Sequence, residues 1–224
     1  MSLLTYLLDE ICCGVEIYFT GRTGQQYLKT AFILCDDYTE LTSKLFLLKD
    51  NPRWSDKKPD GKHYKNYHDI QEDVQNVVTV KRPNDLEKIK GLHKAMKVRR
   101  ERRNAFFHST HLLDLSANQR SCVESFCDLM DYGNLLFGSE WAAKVKGARN
   151  LDVFEVLLRL ERKSFEDPSM TPKIMRILAE WPRNISNASR KGVHLAVHPE
   201  DLHLRLCVIH GGNLLRDKLL ALLA

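Results

Sequence analysis

The sequence predicts a mainly α fold: an antiparallel helical bundle followed by a small α+β, winged-helix-like C-terminal module. Two observations predict it. Through the first 138 residues, apolar positions recur at three- and four-residue steps, the period of a helix that buries one face. Beyond residue 190 the pattern turns to alternation, the period of strands.

The elements follow in order. Leu3, Leu4, Leu7, Leu8, Ile11, Val15 and Tyr18 mark a first helix over 3–19, stopped by Gly21. Its apolar start lacks a basic leader, and Asp9 and Glu10 interrupt it, so it reads as a core helix rather than a signal peptide. Tyr27, Ala31, Leu34, Tyr38, Leu41 and Leu45 mark a second helix over 23–49, with the long apolar face of a bundle's centre. Residues 50–65 are dense in charge, Pro and Gly, and predict a loop that is mobile or touches substrate. A shorter helix follows over 67–80. Pro83-Asn84-Asp85 predicts a helix start, with Asn84 as the cap. That helix runs to about Phe107. Ser116-x-x-Gln119 resembles a capping box and opens a fifth helix through Val123, Phe126, Leu129, Met130, Leu135 and Phe137. Residues 1–138 thus form the bundle and 139–150 a linker. The small basic module, 151–224, holds a helix over 151–164, another from Thr171-Pro172, a hairpin over 193–208 and a last helix over 214–223.

Composition narrows the function. The chain has 224 residues, 43% apolar and 28% charged, which is a globular balance. No apolar run reaches the ~20 residues that span a bilayer, so no membrane role is expected. Cys12, Cys13, Cys35, Cys122, Cys127 and Cys207 form no C-x-x-C pair and sit among apolar neighbours, as buried thiols of a cytoplasmic protein do. Residues 1–140 are charge-balanced, whereas 141–224 carry 14 Lys/Arg against 9 Asp/Glu, the whole net charge of +5. P-loop, dinucleotide-binding, zinc-protease and serine-hydrolase motifs do not occur, which disfavours those enzymes. His194, His198, His203 and His210 lack an acidic or Cys ligand set around them, so neither a metal nor another cofactor is expected.

One stretch carries chemistry. Residues 98–111 read V-R-R-E-R-R-N-A-F-F-H-S-T-H. With 100° per residue and Leu86 at 0°, Ile89, Leu92, Met96 and Phe107 fall at roughly 300°, 240°, 280° and 300°, one apolar stripe. Arg103 falls at roughly 260°, inside it. A charge there must be paired, by a core carboxylate for instance, or must face a cleft that water or phosphate enters. His108 falls at roughly 40°, so it joins Arg103 only if the helix ends or bends near Phe107. An Arg grips phosphate through two parallel hydrogen bonds, and a His titrates near neutral pH and moves protons. Lys97, Arg99, Arg100 and Arg102 surround the pair with positive charge suited to an RNA backbone.

Arg103-Asn104-x-x-x-His108 resembles the signature of the HEPN superfamily, an Arg followed by a polar residue and, four to six residues on, a His. A second match, Arg205 to His210, lacks the polar residue and lies in the alternating stretch. The resemblance covers residues 1–138. It implies an all-helical, metal-independent endoribonuclease with Arg103, Asn104 and His108 as catalytic residues. It also implies a homodimer that joins two motifs in one cleft, often a toxin or phage-defence effector restrained by an antitoxin or regulatory partner. The alternative expectation is a non-catalytic nucleic-acid-binding or interaction protein, with the bundle as a dimerisation platform.

Overall fold

The computed structural model describes residues 2–21, 25–108, 115–148, 151–179 and 214–224, with the backbone alone described at several element ends, among them 107 and 108. These residues are mainly helical. Helix α1 spans Leu3–Gly21, α2 spans Gln25–Asp50 and α3 spans Tyr67–Lys81. A short 3₁₀ turn, Pro83–Asp85, leads into α4, Leu86–His108. Then come α5 (Leu115–Phe137), α6 (Ser139–Val145), α7 (Leu151–Ser164), α8 (Met170–Ala179) and α9 (214–220). No described helix is long and apolar enough to cross a membrane.

The long helices form where the apolar steps predict them, and the helix ends depend on finer chemistry. Asn66 accepts from the Asp69 amide, and Asp69 accepts from the Asn66 amide, a reciprocal cap that fixes the start of α3. Asn84 does not cap α4. It lies inside the 3₁₀ turn, where Pro83 sets the backbone and no side chain caps the first amides. Gly138 ends α5 at φ 58°, a conformation that costs a residue with a Cβ more than it costs Gly. The loop over 51–66 is folded tightly. A bridge joins Lys57 to Tyr64, and Asp73 of α3 accepts from Trp54 Nε1 at 2.8 Å and from Lys65 Nζ at 2.6 Å.

Helices α2 and α5 are the centre. α2 packs against α1, α3, α4 and α5, and α5 packs against α2, α4, α6 and α7. The three-residue connection of α1 to α2 makes that pair an antiparallel hairpin. One apolar core continues past residue 138. The stretch 139–150, expected as a linker, instead carries α6, whose Trp141 and Val145 are buried. Seven residues of α7 are buried in the same cluster, together with Leu215 and Leu219 of α9. Tyr18 of α1 donates to Glu161 of α7 at 2.6 Å, tying the first helix to the seventh. The physical reason is area: a seven-residue helix with an indole gains more by burying it against α5 than by leaving it in water. The expected hairpin over 193–208, and with it the winged-helix-like arrangement, lies outside the described residues.

Candidate functional site

The second half of α4 carries the motif, and its arginines divide into two sets. Arg103 Nη2 donates to Asp36 Oδ2 of α2. Arg100 Nη1 reaches the same oxygen at 3.4 Å and Glu40 Oε2 at 3.6 Å, and its guanidinium lies 4.3 Å from the centre of the Tyr67 ring. Arg99 turns the other way, to Asp128 and, at 3.5 Å, to Glu124, both on α5. Lys97, Arg102 and Asn104 are exposed. The helical wheel explains the division: Arg99 and Arg100 fall at roughly 220° and 320°, flanking the stripe, whereas Lys97 and Arg102 fall at roughly 20° and 160°, outside it. The expectation that all four cations face RNA therefore meets a different arrangement. Arg99 and Arg100 are spent on carboxylates of the same chain, and Lys97 and Arg102 face solvent.

Arg103 meets the demand that its place in the stripe imposes, a partner. Its side chain is 19% exposed and that of Asp36 9%, so the pair sits at the rim of the core. The Arg103 Nε atom is buried, and among the described residues no group takes its hydrogen. Burial raises the pKa of the neighbouring Asp37 above the ordinary carboxylate value, Asp36 adds to the rise, and Arg103 opposes it. Burial lowers the pKa of Arg99 and Glu124 opposes that fall. His108 is the last residue of α4, and its side chain lies outside the described residues, as do Ser109, Thr110 and His111. Phe106 is buried at this end of the helix, with Lys29 4.9 Å from its ring centre; the side chain of Phe107 lies outside the described residues.

Beside Asp36 and Arg100 lies a cavity of about 20 Å³, lined also by Cys35, Thr39, Tyr67 and Met96. That is room for about one water. A nucleotide does not fit inside it.

Two features of this region are not evident in the sequence. The first is Asp36, which sits 67 positions before Arg103. A run of three carboxylates on α2, Asp36, Asp37 and Glu40, is its only local signal. The second is a buried polar chain across four helices. Gln75 Nε2 lies 2.9 Å from His93 Nδ1, His93 Nε2 lies 3.0 Å from Tyr132 Oη, and Tyr132 Oη lies 2.9 Å from Ser43 Oγ. Ser43 donates onward to the Thr39 carbonyl at 3.1 Å. A neutral imidazole serves both its contacts, as acceptor from Gln75 and donor to Tyr132. Burial pushes the His93 pKa down to about 4, which keeps it neutral. Among the described residues the one cluster with metal-like donors is His68, Asp69 and Glu72, on the outer side of α3, where Asp69 is occupied by the helix cap and Lys58.

Cys35, Cys122 and Cys127 are free thiols, and they and Cys12 are buried. Burial raises the pKa of Cys122 and Cys127, the latter to about 11, so they are thiols at neutral pH and pack as small hydrophobes. Comparison with protein-family models, with curated proteins and with solved structures returned no match.

Proposed function

We propose that the chain is a metal-independent endoribonuclease of the HEPN type, cutting RNA by attack of a 2′-hydroxyl on the adjacent phosphate. The observation that carries this reading is the place of Arg103. It lies on the inward stripe near the end of α4, held by Asp36, with one buried N–H unused among the described residues and the exposed Asn104 beside it. Asp36 acts as a positioning residue that fixes the guanidinium, and Arg103 stabilises charge developing on the phosphate. Asn104 orients His108 or binds phosphate. His108 transfers protons, and a homodimer supplies the second His that a base-and-acid pair needs. Lys97 and Arg102 hold the RNA backbone, while Arg99 and Arg100 brace α4 from beneath. The products are a 2′,3′-cyclic phosphate or 3′-phosphate and a 5′-hydroxyl. The setting is cytoplasmic, with an antitoxin or other regulatory protein as restraint.

The Arg103–Asp36 ion pair itself favours a second reading, a non-catalytic interaction or nucleic-acid-binding protein in which Arg103 is a structural charge. One set of samples separates the two: wild type, Arg103→Ala, Arg103→Lys and His108→Ala, with melting temperature and cleavage of mixed RNA in EDTA measured on each. The nuclease reading expects His108→Ala to fold and lose cleavage. It expects both Arg103 variants to lose on the order of a hundredfold or more in rate, because an ammonium cannot copy the planar two-pronged contact. Activity that falls only in step with the folded fraction, or wild type that cuts nothing without metal, establishes the second reading instead.

A further inference from the structure

The loop between α2 and α3 carries charge and an aromatic ring that neither the core nor the motif on α4 uses. Residues 51–66 hold Arg53, Lys57, Lys58, Lys62 and Lys65 against Asp56 and Asp60. Ion pairing takes up only part of that excess. Asp56 is held by Lys44 of α2, Asp60 by His63, Asp69 of α3 by Lys58 and Asp73 of α3 by Lys65. Each of these carboxylates therefore has a partner of its own. Arg53, Lys57 and Lys62 are exposed, and no carboxylate among the described residues pairs with them.

The loop presents these cations on an ordered frame. The bridge between Lys57 and Tyr64 is closed by backbone bonds, from the Lys58 amide to the His63 carbonyl at 2.8 Å and from the Lys65 amide to the Asp56 carbonyl at 2.6 Å. Gly61 turns the tip at φ 66°, and Asp60 Oδ1 accepts from the Lys62 and His63 amides. Tyr64 is 66% exposed on this hairpin, and Lys57 Nζ lies 5.9 Å from its ring centre. A ring left in water beside an ammonium, on a backbone already ordered, can stack a base with little further loss of freedom. The hairpin also lies near the motif. Lys58 pairs with Asp69 in the first turn of α3, and Tyr67 of the same turn lies against Arg100 of α4. Arg100 precedes Arg103 by about one helical turn.

We propose that the hairpin over 57–64 binds single-stranded RNA: a base stacks on Tyr64, and neighbouring phosphates pair with Lys57 and Lys62. A duplex does not satisfy this site, because its bases are already stacked on one another. The choice of RNA rests on the proposed function, and the hairpin gives that reading its substrate class, an unpaired strand held near Arg103.

The test is fluorescence anisotropy of the full chain with a labelled 2′-O-methyl oligoadenylate, which 2′-hydroxyl attack cannot cut, so binding is read apart from cleavage. Tyr64→Leu is expected to weaken binding about tenfold or more, and Tyr64→Phe, which keeps the ring, to restore it. Lys57→Ala combined with Lys62→Ala is expected to flatten the slope of log affinity against log salt by about 0.7 for each cation removed. These are exposed substitutions, and melting temperature checks the fold. The same oligonucleotide annealed to its complement is expected to bind more weakly than the single strand. Absence of binding, equal affinity for strand and duplex, undiminished binding by Tyr64→Leu, an unchanged salt slope, or tighter binding of polyglutamate than of the strand would each overturn the proposal. The nuclease reading fails separately: Tyr64-dependent binding by a chain that cuts no RNA in EDTA removes that reading and keeps the hairpin, and cleavage by wild type with full binding by Tyr64→Leu does the reverse.

Discussion

Helix α4 buries two kinds of polar group on one face, and it treats them differently. His93, three turns before the motif, is 4% exposed and neutral, linked to Gln75 and Tyr132 with no charge in the chain. Arg99, Arg100 and Arg103 are charged, lie at the rim with 18–28% of each side chain exposed, and each meets a carboxylate. The difference reflects solvation. A charge taken fully out of water loses more than one partner returns, so the ion pairs stay where water still reaches. A neutral hydrogen-bonded chain carries a much smaller desolvation cost and can cross the bundle at its centre. The rim also keeps cations within reach of an external phosphate, which the deep layer never could.

The largest expected effect tests the rim. Asp36→Ala removes the common acceptor of Arg100 and Arg103 and strands Arg103 in a half-dry setting, while Arg100 keeps Glu40. Loss of about 3–5 kcal/mol of unfolding free energy is expected from urea titration. A loss below about 1 kcal/mol would place the pair in the class of screened surface bridges and erase the contrast with the His93 layer.

The next test concerns the deep layer and uses pH. The folded pKa of His93 is about 4 against an ordinary 6.5, with burial as its cause. A group depressed in this way contributes stability that is fully present above the unfolded value. As pH falls through 6.5 the unfolded chain binds the proton first, and the contribution is lost by about pH 4. A separation of about 2.5 units corresponds to roughly 3 kcal/mol. Stability measured at pH 7 and pH 4 for wild type and His93→Gln isolates it, since carboxylate titration is common to both. An equal drop in the two proteins would show that His93 is not the titrating group.

The smallest expected effect on stability sharpens the functional side. Lys97→Ala and Arg102→Ala remove exposed cations and are expected to change unfolding free energy by no more than about 0.5 kcal/mol. If these side chains contact an RNA backbone, each variant lowers the slope of log affinity against log salt by about one. Filter binding over a salt series reads that slope. An unchanged slope in both variants would remove the outer face of α4 from the RNA surface.

Local order was legible in the sequence by itself. The spacing of Leu, Val and aromatic residues located α1, α2, α5 and α7, because a helix buries one face and its period is fixed by backbone geometry. The same periodicity placed Arg103 on the buried stripe and so required a partner for it. It also contained the information that Arg99 and Arg100 flank that stripe, although a count of basic residues assigned them to the surface. Only the tertiary structure decided which groups meet. Asp36, and not another acid, takes Arg103, and His93 finds Gln75 and Tyr132. α6 packs its Trp141 and Val145 into the core. These choices join residues far apart in the chain. They follow from how whole helices pack, and no local pattern of residues encodes the distance between two helices.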